Sequence, residues 1–318
     1  MNYGVRTSGP HLFIKEKEGK ETRVPWNTLN RIIVAGRSRF SDGVIYSAIR
    51  NSIPVTFIDV MGVTHAHLYP ENYSRSDIED IQSAKAVEPC FCLSTAKSLV
   101  KAKIENSLSL LKRYYPQIPG EEEQLADLVK KIETASSLDT LRGFEGTAAR
   151  IYFSLLPELV TPFSFKKRVY HPPDGEVNAM LSLGYTLLYN RIRTALYDNG
   201  FDLYKGFFHK SRGLHAVLAS DLMEPLRCVI DDLVIRLTRN KKIVEKDFDK
   251  IPAYGSTYYR LNGKGFRMYI KTYEETMQEA EITIKDHSFK CNVAIDEIIY
   301  NLKLSLKLSI PFEPGRIV

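Results

Sequence analysis

The chain of 318 residues is long enough to bury a sizeable core without disulfide staples, and its length suggests about two domains. Apolar residues make up 44% and charged residues 26%, the balance of a water-soluble globular protein, and the net charge of +6 leaves room for a polyanionic partner. No apolar run approaches the roughly 20 residues needed to cross a bilayer, and "MNYGVRTSGPHLFIK" lacks a signal-peptide apolar region, so a cytoplasmic protein without membrane contact is expected.

Residues 1–70 read as strands. "HLFIKEK" is extended and half apolar, "LNRIIVAG" is a β-branched run closed by Gly36, and "IPVTFIDVMG" is a buried strand continued by "VTHAHLY". A short helix is expected at "DGVIYSAIRN". The polar stretch "PENYSRSDIED" has turn formers and no apolar period, and residues 71–83 are taken as a linker. From residue 84 onward the spacing is helical, with runs at 93–114, 122–134, 138–156, 174–199, 216–239, 264–284 and 291–308. The expected class is therefore α+β: a small N-terminal β-sheet domain (1–70), the linker, and a larger all-α domain (84–318).

Four cysteines, Cys90, Cys92, Cys228 and Cys291, have neither a disulfide framework nor zinc-knuckle spacing and read as structural thiols. The chain has no Gly-x-x-x-x-Gly-Lys-Ser/Thr loop, no dinucleotide-binding glycine motif and no Gly-x-Ser-x-Gly elbow. Nucleotide hydrolysis, hydride transfer and serine esterase chemistry are thereby disfavoured.

What remains is a set of acids and histidines in the helical half. In "GFFHKSRGLHAVLASDLMEPLR" a cationic loop runs into an amphipathic helix whose stripe is Leu218, Leu222, Leu226, Ile230, Leu233 and Leu237. Asp221 and Glu224 share one face and Arg227 extends the row. Such a pair suits either a divalent ion or a solvated, arginine-paired surface. Pro225 should bend the helix beside Glu224. His209 and His215 are both near enough in sequence to fold back over that face. In "LRGFEGTAARIYFSLL" Phe144, Ala148, Ile151 and Leu155 are the expected packing stripe. Glu145 sits at its flank among small residues, ready for a metal or for a salt bridge to Arg142 or Arg150. In "RVYHPPDGEVNAMLSLGYTLLYNRI" Val177, Leu181, Gly184, Leu188 and Ile192 form the apolar stripe. Asn178, Ser182, Tyr185 and Tyr189 form a polar-aromatic face suited to a nucleic-acid path or to a core of satisfied hydroxyls.

These segments in this order, "FEGTAARIYF", "RVYHPPDGEVNAMLSLGYTLLYN", "GFFHKSRG" and "LASDLMEPLR", resemble the CRISPR-associated adaptation integrase family, and "PWNTLNRIIVAGRSRFSD" and "NSIPVTFIDVMG" resemble its β-domain segments. The resemblance implies a homodimer formed through the β domain (1–70), a catalytic, DNA-binding helical domain (84–318), and a divalent ion, Mg2+ or Mn2+, held by Glu145, His209 and Glu224, with Asp221 an adjacent catalytic acid and His215 a second candidate imidazole. It implies metal-dependent endonuclease and integrase activity: the 3′-hydroxyl of a short protospacer DNA attacks a phosphodiester at a CRISPR repeat boundary. A small Cas-two type dimer is the expected protein partner. Lys210, Arg212, Arg227, Arg168 and Asn178 are the expected DNA contacts. The alternatives are a non-catalytic dimeric DNA-binding scaffold for another nuclease and a tyrosine-nucleophile recombinase, which would need no metal.

Overall fold

The computed structural model describes residues 4–15, 21–29, 31–35, 39–59, 64–69, 77–115, 120–169, 173–210, 213, 215–253 and 256–317. Two units emerge: residues 1–76 with 197–200, and residues 77–196 with 201–318.

The first unit is mainly β. Strands β1 (Gly4–Ser8), β2 (His11–Lys15) and β3 (Glu21–Pro25) form an antiparallel run, and β5 (Arg39–Phe40) joins β1 in parallel. A second sheet has the order β4 (Ile32–Ala35), β6 (Val55–Ile58), β7 (Thr64–Leu68), with helix α1 (Asp42–Arg50) between β5 and β6. Leu12, Trp26, Val34, Val44, Ala48, Ile53 and Val55 make the core, and the indole N–H of Trp26 donates to Thr7 Oγ1 at 3.2 Å. The expected strands and the short helix are present within the described residues, but Thr64–Leu68 does not continue the preceding strand: it is a separate strand, paired antiparallel with β6.

The second unit is mostly helical. It begins with α2 (Ile78–Lys85), so residues 78–83 of the expected linker are helix, while 70–76 lie outside the described residues. The 26-residue α3 (Pro89–Tyr114) is its spine, started by Pro89 at the first position, where the missing N–H has no helical partner to lose. Around it pack α4 (Glu121–Thr134), α5 (Leu138–Leu159), and α8 (Arg227–Arg239). The side-chain oxygen of Ser137 caps α5 by accepting from Thr140 N at 3.1 Å. On α6 (Glu176–Asp198) the expected stripe of Val177, Leu181, Leu188 and Ile192 is buried. Gly184 within it is a close-approach position, since a Cβ there would lie 2.3 Å from Tyr269 Oη and 2.4 Å from Ile230 Cγ2.

The expectation of an all-α second domain needs correcting in three places. Helix α9 (Gly263–Glu279) stops short of 284, and 281–284 is strand β10, paired with β11 (His287–Lys290). The sequence "EITIKDHSFK" alternates in strand fashion around Lys285 and Asp286, both at positive φ as a two-residue hairpin requires. Phe248–Ala253 (β8) and Ser256–Leu261 (β9) form a second hairpin. After α10 (Cys291–Leu308) the terminal segment docks: Phe312 is buried, and β12 (Arg316–Ile317) pairs with β10. All four cysteines are free thiols, three of them buried. Among the described residues no helix is long and apolar enough to cross a membrane.

Asn106 ties this unit together. Its amide donates to Pro225 O at 2.7 Å and Gly315 O at 3.1 Å, and its oxygen accepts from Ile317 N at 3.1 Å. Asn106→Ala strands buried partners on two other segments. Chemical denaturation should show a loss of about 2–4 kcal/mol.

Candidate active site

Pro225 breaks the 216–239 helix where the sequence predicts a bend. Proline cannot donate a backbone hydrogen bond to Asp221 O. The chain therefore runs as α7 (Val217–Met223), a 3-10 turn (Glu224–Leu226) and α8. The tightened turn places Glu224, with a side chain only 1% exposed, beneath a cleft of about 310 Å³. The row read as Asp221, Glu224 and Arg227 continues one turn further to Asp231. Lys103 from α3, Glu145 from α5, His209 from the 201–216 loop, and Glu224, Arg227 and Asp231 line the same cleft.

Asp221 is fully buried and does not line the cleft. Its Oδ2 accepts from the backbone N–H groups of Phe207 at 2.6 Å and Phe208 at 3.0 Å; its Oδ1 accepts from His209 N at 2.9 Å and His209 Nδ1 at 2.7 Å. The loop closes on the carboxylate because residue 206 is glycine: a Cβ there would fall 2.6 Å from Asp221 Oδ2. Phe207 and Phe208 bury their rings, and Phe207 meets Phe91 edge-on at 5.5 Å. The "GFFH" pattern is thus a close approach, two anchors and an aimed imidazole. With Nδ1 donating to Asp221, Nε2 points toward Glu224 Oε1, 3.9 Å away. Burial opposes charging of His209, but the Asp221 hydrogen bond and the carboxylates of Asp221, Glu224 and Glu145 outweigh it and raise its pKa.

Glu224 is buried as a charge in cationic company. Arg227 reaches Oε1 at 3.0 Å and the Lys103 ammonium stands 2.6 Å from Oε2. Burial works against its ionisation, yet Arg227, Lys103 and His209 hold it well below the usual carboxylate range. Lys103 also bridges to Glu145 Oε1, so Glu145 pairs with neither Arg142 nor Arg150. For Lys103 burial disfavours the charge, and Glu224 and Glu145 more than restore it, raising its pKa.

The ammonium separates the two glutamates. Glu145, His209 and Glu224 therefore share a cleft without closing as a three-ligand set, and no group of three His, Cys, Asp or Glu side chains does so among the described residues. The donor types nevertheless fit a hard divalent ion: two carboxylates, one imidazole nitrogen, and a buried Glu224 Oε2 that receives no well-directed hydrogen bond.

The remaining expected residues are distributed as follows. His215 lies away from the cleft lining, with Nε2 2.7 Å from Ser220 Oγ and its ring stacked on Tyr189 at 5.2 Å; burial and His209 lower its pKa. Arg227 and Arg168 approach the Tyr185 ring at 4.8 and 5.5 Å. Asn178 is buried and uses its whole amide: Oδ1 accepts from Arg168 and Val169 N, and Nδ2 donates to Lys167 O and Asp174 O. It positions Arg168 and has no amide group left over for DNA. Lys210 is exposed, and Arg212 lies outside the described residues.

Lys103, Asp231 and Tyr152 were missed in the sequence. The buried stripe of α5 runs through Leu141, Ala148, Tyr152 and Leu156, one position off the expected Ile151 and Leu155, because the Tyr152 hydroxyl donates to Asp231 Oδ2 at 2.8 Å. Tyr185 donates to Asp231 Oδ1 at 2.5 Å. Burial raises the Asp231 pKa from 3.8 to about 6, against the lowering effect of both phenols, Arg227 and Arg168. A folded value above the unfolded one means that its stabilising contribution is complete below pH 3.8 and is lost as pH rises through about 6. The gap corresponds to about 3 kcal/mol. Stability measured from pH 4 to 7 should fall less steeply in Asp231→Asn than in wild type.

Known proteins share this arrangement of chain. The family model described as CRISPR associated protein Cas1 matches residues 2–275. A CRISPR-associated endonuclease Cas1 of Mycobacterium tuberculosis is 30% identical over 251 residues, 78% of this chain and 74% of that protein. In fold, a chain of a partial Cas6-RT-Cas1–Cas2 complex matches with a TM-score of 0.84 at 24% identity, over 99% of this chain and 96% of that one. A casposase bound to integration product matches with a TM-score of 0.72 at 23% identity, over 98% and 95%. With a family match across most of its length, a β-rich first unit and a mostly helical second one, this chain belongs to the CRISPR-associated Cas1 family.

Proposed function

We propose that the protein is a divalent-metal-dependent DNA integrase and endonuclease of CRISPR spacer acquisition. It joins the 3′-hydroxyl ends of short DNA to the repeat boundaries of an array. The observation that carries this reading is that Glu145, 64 residues before His209, lines one cleft with His209 and Glu224, with Arg227 beside them. A non-catalytic scaffold has no need to bury a charged glutamate opposite an aimed imidazole.

In the proposed reaction the 3′-hydroxyl oxygen bonds to phosphorus as the bond to the target strand's leaving oxygen breaks. The hydroxyl proton is lost and the leaving oxygen gains one. One phosphodiester replaces another, so no nucleotide hydrolysis is required, in keeping with the missing phosphate-binding loop. Glu145, His209 and Glu224 would hold Mg2+ or Mn2+, which when bound polarises the phosphoryl oxygens and eases deprotonation of the attacking hydroxyl. Asp221 acts on the site through His209, fixing its ring so that Nε2 is presented to the cleft. Arg227, Arg168, Lys210 and Arg212 hold DNA phosphates, with Asn178 supporting Arg168. Water in place of the hydroxyl gives nuclease activity. The protein works in the cytoplasm as a homodimer through its β unit (1–70), with residues 84–318 carrying the chemistry and a Cas2-type dimer as partner.

Glu145→Ala and Glu224→Gln should each reduce metal-dependent strand transfer by about 100-fold or more while leaving DNA affinity near wild type. The check is a half-site integration assay beside a binding titration. Retained transfer in either variant removes that residue from the site.

A further inference from the structure

The Lys103 ammonium occupies the gap that a shared ion would need. It contacts Glu145 Oε1 on one side and Glu224 Oε2, at 2.6 Å, on the other. An ammonium and a divalent ion are both cations and cannot sit together between the same two oxygens. Of the two cations against Glu224, Arg227 is the less mobile: its guanidinium binds Oε1 through two nitrogens and lies over the Tyr185 ring. Lys103 has an unbranched, four-carbon arm rooted on α3 between the buried residues Ala102 and Ile104, and its side chain keeps 17% of its surface open to solvent. The arm can move and the guanidinium is clamped. Once displaced, an ammonium in a cleft lined by Glu145 and Glu224 has one new class of anion to pair with, the phosphodiester that the reaction brings there.

We propose that Lys103 is a displaceable counter-ion: its ammonium holds Glu145 and Glu224 together until a divalent ion takes that place, and then serves as a phosphate contact for DNA. The proposal rests on the metal-dependent reading of the site. It assigns Lys103 two successive partners, carboxylate and then phosphate. It also predicts that the protein's affinity for its ion is lower than the donor set alone would give, because the ion must first evict a resident cation.

The test is titration of DNA-free protein with Mn2+ by calorimetry, comparing wild type with Lys103→Met, which keeps the apolar stem and removes the charge. The expected result is a Kd for Mn2+ about tenfold tighter in Lys103→Met. In chelator the variant should unfold at a lower temperature than wild type, and Mn2+ should raise that temperature by more than it does in wild type. In Mn2+ the salt slope of DNA binding should be smaller in Lys103→Met by about one unit. Lys103→Gln serves as the second variant if Lys103→Met does not fold, with the same outcomes expected. An equal or weaker Kd in a folded variant overturns the displacement, and an unchanged salt slope overturns the phosphate contact. Absence of Mn2+ binding in both wild type and Lys103→Met would overturn the metal reading beneath the proposal, a result distinct from Mn2+ binding that is indifferent to Lys103.

Discussion

The charge buried on Glu224 governs how the rest of the helical unit is built. A carboxylate with almost no solvent contact is costly unless cations and hydrogen bonds replace its hydration. Arg227 one turn along and Lys103 from the spine helix supply the cations, and the Pro225 break sets the carboxylate at the cleft floor. Asn106, one turn beyond Lys103 on α3, grips Pro225 O and so fixes the turn against the spine. Truncating one partner of such a buried set typically costs about 3–5 kcal/mol, since the other is left charged and alone. The same arrangement keeps α3, the turn and α8 in register and keeps Glu224 ionised.

A second buried carboxylate, Asp221, has the opposite task. It accepts from three consecutive backbone N–H groups and the His209 ring, so its lone pairs are used in folding the loop. Two acids three residues apart on one helix face thus divide the work, one shaping the loop that aims an imidazole and the other facing the cleft. Asp231, further along the same row, anchors Tyr152 and Tyr185 and so fixes the cleft's aromatic wall.

Much of this was legible in the sequence wherever a residue type conflicted with its surroundings. Pro225 inside an amphipathic helix marks the break, glycine before two phenylalanines and a histidine marks the loop, and Glu145 among small residues marks an acid that faces the cleft. Lys103 is legible in principle, because it falls on the buried stripe of α3 at the spacing of Ala96, Leu99 and Asn106, where a solvated lysine does not belong. A lone lysine in a long helix usually lies on the wet face, which hides this one. The roles of Asp221 and His215 could not be read from spacing, because both depend on how the 201–216 loop turns back, and that follows from a steric fit at Gly206. The β10–β11 hairpin is hard to separate from the helix before it because β10 is only four residues long; α9 ends at Glu279, and Lys285 and Asp286 make the left-handed turn that joins the two strands.

Every role proposed for this cleft depends on its performing metal-dependent strand transfer. The most direct measurement incubates purified protein with a short duplex bearing 3′-hydroxyl ends and a plasmid carrying a CRISPR repeat, in Mn2+ or Mg2+ and in chelator. The joined product is expected in the presence of the ion and not in chelator. Joining that survives in chelator would contradict the account, as would a failure to join or cut DNA under any divalent ion.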